Sequence, residues 1–322
     1  MKAYILRRIL YALPIIFGVM VITFILFFYV TTPRTVALQI LGEKAKKEVV
    51  DNWIQAQGLD KPYYFNSQAP GFRKVTDTIF LNHIWSLMTF NFGNSFQDDK
   101  PIIEKLLIRA GPSLTYTVPI FILGMLLSIA LALVLAYFRA SYVDKYGTLL
   151  CVLGMSIVMM IYIIGSQWLF SIQWKLVPVS GWADGMDRAR FIFLPIFIGI
   201  VAGLGGTIRF YRTIMIEETT KDYVRTARSK GLTETAVLFK HILKNAMIPI
   251  LTNAIMAIPF LFMGALLTEI FFGIPGLGSF AVEALFSNDF PSIKAIIYIG
   301  AILYQFGLIM TDISYALVDP RV

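Results

Sequence analysis

Charge is scarce in this 322-residue chain. Asp, Glu, Lys and Arg together make up 15%, against about 25% in an ordinary soluble domain. Apolar residues take 57% and the mean hydropathy is +0.71. That balance excludes a disordered or collagen-like chain. Cysteine occurs once, as Cys151 inside an apolar run, which excludes a disulfide scaffold. With no His or Lys nearby to activate it, Cys151 reads as an inert buried thiol. Histidine occurs twice, as His83 and His241, far apart in sequence. There is no HExxH pair, no GxSxG elbow and no GxxxxGK[ST] loop. The chain therefore lacks the usual zinc ligands, serine nucleophile and phosphate cradle. We expect no catalytic residue, no cofactor and no metal. The net charge of +8 invites a nucleic-acid reading, but most basic residues flank apolar segments. That is the arrangement of membrane topology, and no nucleic-acid partner is expected.

What the chain does have is long charge-free runs. A spanning helix needs about 20 apolar residues. Such runs cover 9–30, 113–138, 146–174, 191–208, 245–268 and 295–311, the last extended past Asp312 to 318. The first exceeds the apolar core of a signal peptide, about 7–15 residues, and Thr31-Thr32-Pro33-Arg34 follows it, so it reads as an uncleaved anchor. None of the runs alternates as barrel strands do. The expected fold is an all-α polytopic membrane protein with six transmembrane helices and a large outer region between the first and second. Lys and Arg in the short loops set the orientation. With the N-terminus inside, Lys2, Arg7, Arg8, Arg139, Lys145, Arg209, Arg212, Lys221, Arg225, Arg228, Lys230, Lys240, Lys244 and Arg321 are cytoplasmic. Lys175, Arg188, Arg190 and Lys294 are outside, so fourteen face four. The segment 31–112 is too long to vote. Both termini are expected in the cytoplasm.

The expected organisation is an anchor helix at 1–30, an extracytoplasmic region at 31–112 and a five-helix core at 113–322. In the outer region, 45–57 reads as a short helix stopped by Gly58, and 74–88 as a second, amphipathic one. The latter either lies along the membrane interface or caps the helix bundle. Within the core, Gly199 and Gly203 form a GxxxG pair followed by Gly205 and Gly206, suited to close helix packing. Asn253 is a polar group inside the fifth run that either lines a pathway or bridges helices. Pro14, Pro119, Pro195, Pro249 and Pro259 favour kinks or helix starts. Asp312 and Glu269 sit near helix ends, where carboxylates reach water.

The loop 209–244 is the most unusual segment, with eight basic and four acidic residues. Asp222 is placed to N-cap a helix that runs to Lys230. Gly231 falls where that helix would end in a left-handed residue, and Thr233 where a second helix would start. The loop reads as a helix-turn-helix held against the membrane. It is either a docking surface for another protein or an ordinary positive-inside loop.

These residues also carry a resemblance. Asp222-Tyr223-Val224-Arg225-Thr226-Ala227-Arg228-Ser229-Lys230-Gly231-Leu232 resembles the cytoplasmic EAA loop of permease subunits of bacterial ABC importers, in their dipeptide/oligopeptide/nickel class. Arg225, Thr226 and Ala227 stand at the Glu-Ala-Ala positions and Gly231 at the fixed glycine. The proline that many such loops place at Lys244 comes later here, at Pro249, as in the peptide-type variant. Tyr4-Ile5-Leu6-Arg7-Arg8, Gly58-Leu59-Asp60-Lys61-Pro62, Phe92-Gly93-Asn94-Ser95, Glu269-Ile270-Phe271-Phe272-Gly273-Ile274-Pro275-Gly276-Leu277-Gly278 and Ala316-Leu317-Val318-Asp319-Pro320-Arg321 resemble further landmarks of that family, in order. The stretch 63–90 matches less well.

The resemblance implies an ABC type I importer permease in a bacterial inner membrane, with the lipid bilayer around it. It implies a second homologous permease completing the pathway, two cytoplasmic ABC ATPase subunits and an extracytoplasmic substrate-binding protein. It places ATPase coupling on Asp222, Arg225, Thr226, Ala227, Gly231, Leu232 and Glu234. It leaves Asn253, Gly199 and Gly203 to pathway lining or helix packing. The alternative is a membrane-embedded enzyme or assembly factor that uses the outer region.

Overall fold

A computed structural model describes residues 2–67, 70–71 and 73–318, with side chains at 7–67, 70–71 and 73–313. Of the C-terminal landmark at 316–321, residues 319–321 lie outside the described residues. These residues form helices joined by short loops, with one isolated bridge between Asn94 and Pro101. The helices are α1 (Lys2–Ile25), α2 (Pro33–Leu41), α3 (Lys47–Ala56), α4 (Arg73–Thr76), α5 (Ile79–Met88), α6 (Ile102–Tyr137), α7 (Tyr142–Ser156), α8 (Met159–Ser166), α9 (Arg188–Glu218), α10 (Asp222–Ser229), α11 (Glu234–Val237), α12 (Leu243–Met263), α13 (Leu266–Phe272), α14 (Leu277–Phe286) and α15 (Phe290–Val318). Short π-helical stretches extend α1, α8 and α11. Five helical stretches are long and apolar enough to cross a membrane. Two bent pairs, α7 with α8 and α13 with α14, raise that number to seven if each is one span.

Several sequence boundaries need correction. The third apolar run is not one straight span: α7 and α8 meet at 90°. The break is at Ile157 and Val158, which take extended backbone angles. The carbonyl of Gly154, freed by the break, accepts from the Ile157 amide at 3.3 Å and the Tyr162 hydroxyl at 2.9 Å. The fifth run ends at Met263 because Gly264 adopts a positive φ of 70°, where L side chains are strained. Within 31–112, the helix expected over 74–88 is split into α4 and α5. Thr78 between them caps α5, its Oγ1 accepting from the Leu81 amide at 3.4 Å. Helix α2, started by the Thr32 cap and Pro33, was not foreseen.

The chain divides into two compact units, 1–109 with 280–309, and 110–279 with 310–322. In the first, α5 packs with α1 and α15 through Met20, Ile84, Leu87 and Tyr298, beside an aromatic group of Phe24, Phe28, Tyr63 and Phe80. His83 is buried there, 3.1 Å from the Met20 carbonyl and 3.2 Å from Thr23 Oγ1. Burial, with the Lys294 charge second, pushes its pKa down to about 4. Asp289 is also buried. It accepts from Ser95 Oγ (2.5 Å), the Phe96 amide (3.0 Å) and Ser292 Oγ (2.6 Å), and so ties the Phe92–Ser95 landmark to the start of α15.

In the second unit, α6, α7, α9 and α12 close around one core that includes Ala132, Ile208, Met215, Val237, Ile242 and Ile250. Small residues set the approach of α9 to its neighbours. A Cβ on Gly199 would lie 2.4 Å from Cδ1 of Ile120 on α6, and one on Gly205 would lie 2.5 Å from the Cys151 carbonyl oxygen on α7. Cys151 is buried and free of any disulfide.

Candidate functional site

The charged loop folds as two short arms. Helix α10 is amphipathic: Val224 and Ala227 point into the core beside Met215, Val237 and Leu238, while the charges face outward. Its N-cap is Lys221, not Asp222. Lys221 carries the extended backbone angles of a cap and makes no side-chain cap bond. Asp222 occupies the first helical position, where a carboxylate favours the helix dipole, and pairs with Arg225 at 3.5 Å. Both are largely exposed, so the pair adds little stability.

Gly231 has φ +77°. Its amide donates to the Arg228 carbonyl at 2.9 Å, and the Leu232 amide donates to the Ala227 carbonyl at 3.4 Å. This 5→2 and 6→1 pair is a Schellman ending, which needs a left-handed residue. A Cβ at Gly231 meets nothing within 4 Å, so the cost of a side chain there is conformational. Thr233 then caps α11, its Oγ1 accepting from the Ala236 amide at 3.3 Å.

Across the turn, Arg228 grips Glu234 with two hydrogen bonds, Nε to Oε1 at 2.8 Å and Nη2 to Oε2 at 3.1 Å. Arg228 was absent from the sequence-derived set. The signal available was a basic residue six positions before an acidic one, flanking a glycine turn. Tyr223 donates to Glu218, and burial followed by that carboxylate pushes its pKa up to about 12. Thr226 is bonded back to the Asp222 carbonyl at 3.0 Å. Outward from this frame stand Arg225, with 74% of its side chain exposed, Leu232 at 40% and Phe239 at 56%. A groove of about 580 Å³ runs beside the arms, lined by Arg139, Thr220, Arg225, Arg228, Glu234 and Leu238.

A second cluster gathers Gly199, Gly203 and Asn253, which lie on α9 and α12 and line one cavity of about 180 Å³ with Ser128, Thr207 and Tyr211. The three play different parts. Gly199 is filled by Ile120, whereas a Cβ on Gly203 meets nothing within 4 Å. Asn253 is exposed on α12 and bridges no helices among the described residues. Ser128 and Thr207 share a 2.6 Å hydrogen bond.

The largest departure from the sequence reading is Glu269. It does not reach water: it is fully buried. Its Oε1 accepts from Ser113 Oγ at 2.7 Å and the Tyr116 hydroxyl at 3.0 Å, and its Oε2 from the Ser279 amide at 2.8 Å. Ser113 in turn accepts from the Leu277 amide (2.8 Å) and Tyr116 from the Ala265 amide (2.7 Å). Every hydrogen in this network therefore points toward the carboxylate. A Cβ on Gly264, Gly276 or Gly278 would meet its atoms at 2.0, 2.3 and 3.1 Å. The apolar stretch 264–279 contains four glycines, three of which close around the carboxylate, and that density of glycine was the available signal. A smaller clamp, also unforeseen, joins Arg212 to Asp144 by two 2.6 Å hydrogen bonds.

Comparison with known proteins agrees with this architecture. Residues 105–322 match the family described as binding-protein-dependent transport system inner membrane component, and residues 1–117 match its N-terminal counterpart. The chain is 29% identical to the oligopeptide transport system permease protein AppB of Bacillus subtilis, over 100% of this chain and 99% of that protein. It is 28% identical to the dipeptide transport system permease protein DppB of Alkalihalophilus pseudofirmus and 29% identical to the glutathione transport system permease protein GsiC of Salmonella choleraesuis, with the same coverage.

Proposed function

The chain belongs to the family of inner-membrane components of binding-protein-dependent transport systems, and on that premise we propose that it forms half of the translocation pathway of an ATP-driven importer for peptides or similar small polar solutes. It is a transport subunit and not an enzyme. Peptide-type cargo is supported by the oligopeptide, dipeptide and glutathione permeases among its relatives. The second half of the pathway is a related permease, and a substrate-binding protein delivers cargo at the outer face. Two ATPase subunits supply the energy, since this sequence has no phosphate-binding loop. The excess of basic residues in its short loops supports cytoplasmic termini in the bacterial inner membrane.

Loop 209–244 is the coupling element in this reading. The observation that carries it is the division of labour in the loop. Val224 and Ala227 root it in the helix core, the Gly231 ending and Thr233 cap fix its angle, and Arg225, Leu232 and Phe239 are left uncovered. Exposed apolar and charged groups on a rigid frame are what a protein partner binds. Force applied to α10 and α11 passes along α9 and α12, which meet in the core. Asn253 and Gly203 line the pathway: an exposed amide on a spanning helix is costly against lipid and is satisfied by water or a facing permease.

The test is recovery of the ATPase subunits with the affinity-purified chain. Arg225→Glu and Leu232→Glu should each cut recovery at least several-fold, and Lys175→Glu, remote from the loop, should leave it unchanged. Full recovery with both loop variants would remove the coupling role. External labelling of a Ser229→Cys variant in intact cells would reverse the orientation.

A further inference from the structure

The turn between α6 and α7 carries a polar recess that takes Arg212 from α9 and no residue of α10 or α11. It is an open pocket of about 700 Å³ whose lining includes Ser141, Tyr142, Asp144, Lys145, Thr148 and Arg212. Its negative charge is already spent. Both oxygens of Asp144 are engaged by Arg212, and Oδ2 also accepts from the Ala140 amide at 3.0 Å. Asp144 is only 5% exposed. The positive charge is in excess. Lys145 is exposed and makes no ion pair among the described residues. Arg212 lends Nε and Nη2 to Asp144, while Arg139 adds its field to the same carboxylate. Thr148 Oγ1 lies buried against the recess with no hydrogen-bond partner among the described residues.

The recess opens onto one continuous helix face. Tyr142, Lys145, Tyr146, Leu149, Leu150 and Leu153 follow one another at helical spacing, and all six are exposed. The two tyrosine rings stack at 6.3 Å. A cation and two tyrosines at the start of an apolar membrane helix, followed by exposed leucines, reproduce the layers of a lipid molecule from headgroup to chain.

We propose that this recess binds the headgroup of an anionic membrane phospholipid, with its acyl chains lying along the leucine face of α7. Lys145 is the principal contact of the phosphate. The Asp144–Arg212 clamp shapes the floor, and the excess positive charge selects an anionic headgroup over a zwitterionic one. The proposal rests on α7 being in a bilayer, which family membership supplies, and not on the cargo, the orientation or the coupling role of α10 and α11.

The test uses the full chain assembled with its transport partners in nanodiscs of phosphatidylglycerol and phosphatidylcholine. The probe is phosphatidylglycerol with a photoactivatable group high in one acyl chain, and labelled peptides are mapped by mass spectrometry. Label is expected on residues 142–153. Lys145→Gln should lower it about five-fold, the factor that one interfacial cation confers. Lys145→Arg should restore most of it, and Lys175→Gln should have no effect. Equal labelling by the corresponding phosphatidylcholine probe would overturn the proposal. So would an absence of label on α7, as when a partner subunit covers this face, or a Lys145→Gln variant that labels like the wild type.

Discussion

The proposed coupling loop and the cradle around Glu269 solve the same problem, fixing the angle between two short helices, in opposite ways. The loop does it locally and in water. Its Schellman ending, its Thr233 cap and its Arg228–Glu234 pair all fall within residues 227–236. The cradle does it at long range and out of water. Glu269 draws its hydroxyl donors from Ser113 and Tyr116, 156 and 153 positions away. A local device fails by degrees, because water replaces each lost partner. A buried device fails abruptly, because each orphaned donor carries its full desolvation cost. The loop is thus tuned in small steps by single changes, whereas the cradle is held or lost as a whole.

The sharpest way to break this contrast is Glu269→Ala. It strands the hydroxyls of Ser113 and Tyr116 and the Ser279 amide, and it empties the space that Gly264 and Gly276 leave for the carboxylate. The expected loss is about 3–5 kcal/mol, read as a large fall in the thermal unfolding midpoint of the purified chain and in its yield. Glu269→Gln keeps the shape but turns one acceptor into a donor among donors, so it should recover only part of the loss. If Glu269→Ala unfolded at the wild-type midpoint, the cradle would not be the rigid partner of the comparison.

How far each region was legible in the sequence follows the same division. The spans were legible because absence of charge over about 20 residues is a bulk property. The loop's turn was legible because Gly231 and Thr233 act on their immediate neighbours. Asp222 shows the limit of even that reading: the helix begins one residue early, and the cap falls to Lys221. The bend at Ile157 and Val158 had only Gly154, three residues earlier, to announce it; the carbonyl of that glycine is satisfied by Tyr162 from the following helix. Glu269 was legible as a buried group only through the glycines near it, because apart from the Ser279 amide the partners of its carboxylate become neighbours only when α6 and α13 pack.

A smaller effect separates two glycines of α9 that look alike in sequence. Gly205→Ala places a methyl 2.5 Å from the Cys151 carbonyl, a backbone atom that cannot swing away. About 1–3 kcal/mol of destabilisation should follow from the forced separation of α7 and α9. Gly203→Ala meets open space and gains helix propensity, so its stability should hold or rise by up to about 1 kcal/mol. Since Gly203 lines the proposed pathway, transport by the complex should fall even as the unfolding midpoint holds. A Gly203→Ala transporter with unchanged uptake would reduce that cavity to a packing defect.

The smallest effects on stability, and the most informative for coupling, belong to the loop. Gly231→Val forces a β-branched residue to a φ of +77°, at roughly 1–2 kcal/mol. The added side chain has room, so the strain is relieved by rotating α10 against α11 and not by unfolding the core. The variant should insert, purify and melt near the wild type, yet recover less ATPase and transport little. Gly231→Asn tolerates the left-handed region better and should sit between the two. The Arg228–Glu234 pair is half exposed, so breaking it should cost less than about 1 kcal/mol. A charge reversal, Arg228→Glu with Glu234→Arg, then separates two roles for the pair. If it only braces the turn, the double reversal restores coupling that either single change impairs. If Arg228 also touches the ATPase, coupling stays impaired while the unfolding midpoint returns. Should Gly231→Val transport at the wild-type rate, the angle set by this turn does not govern coupling, and the exposed residues of α10 alone would have to carry it.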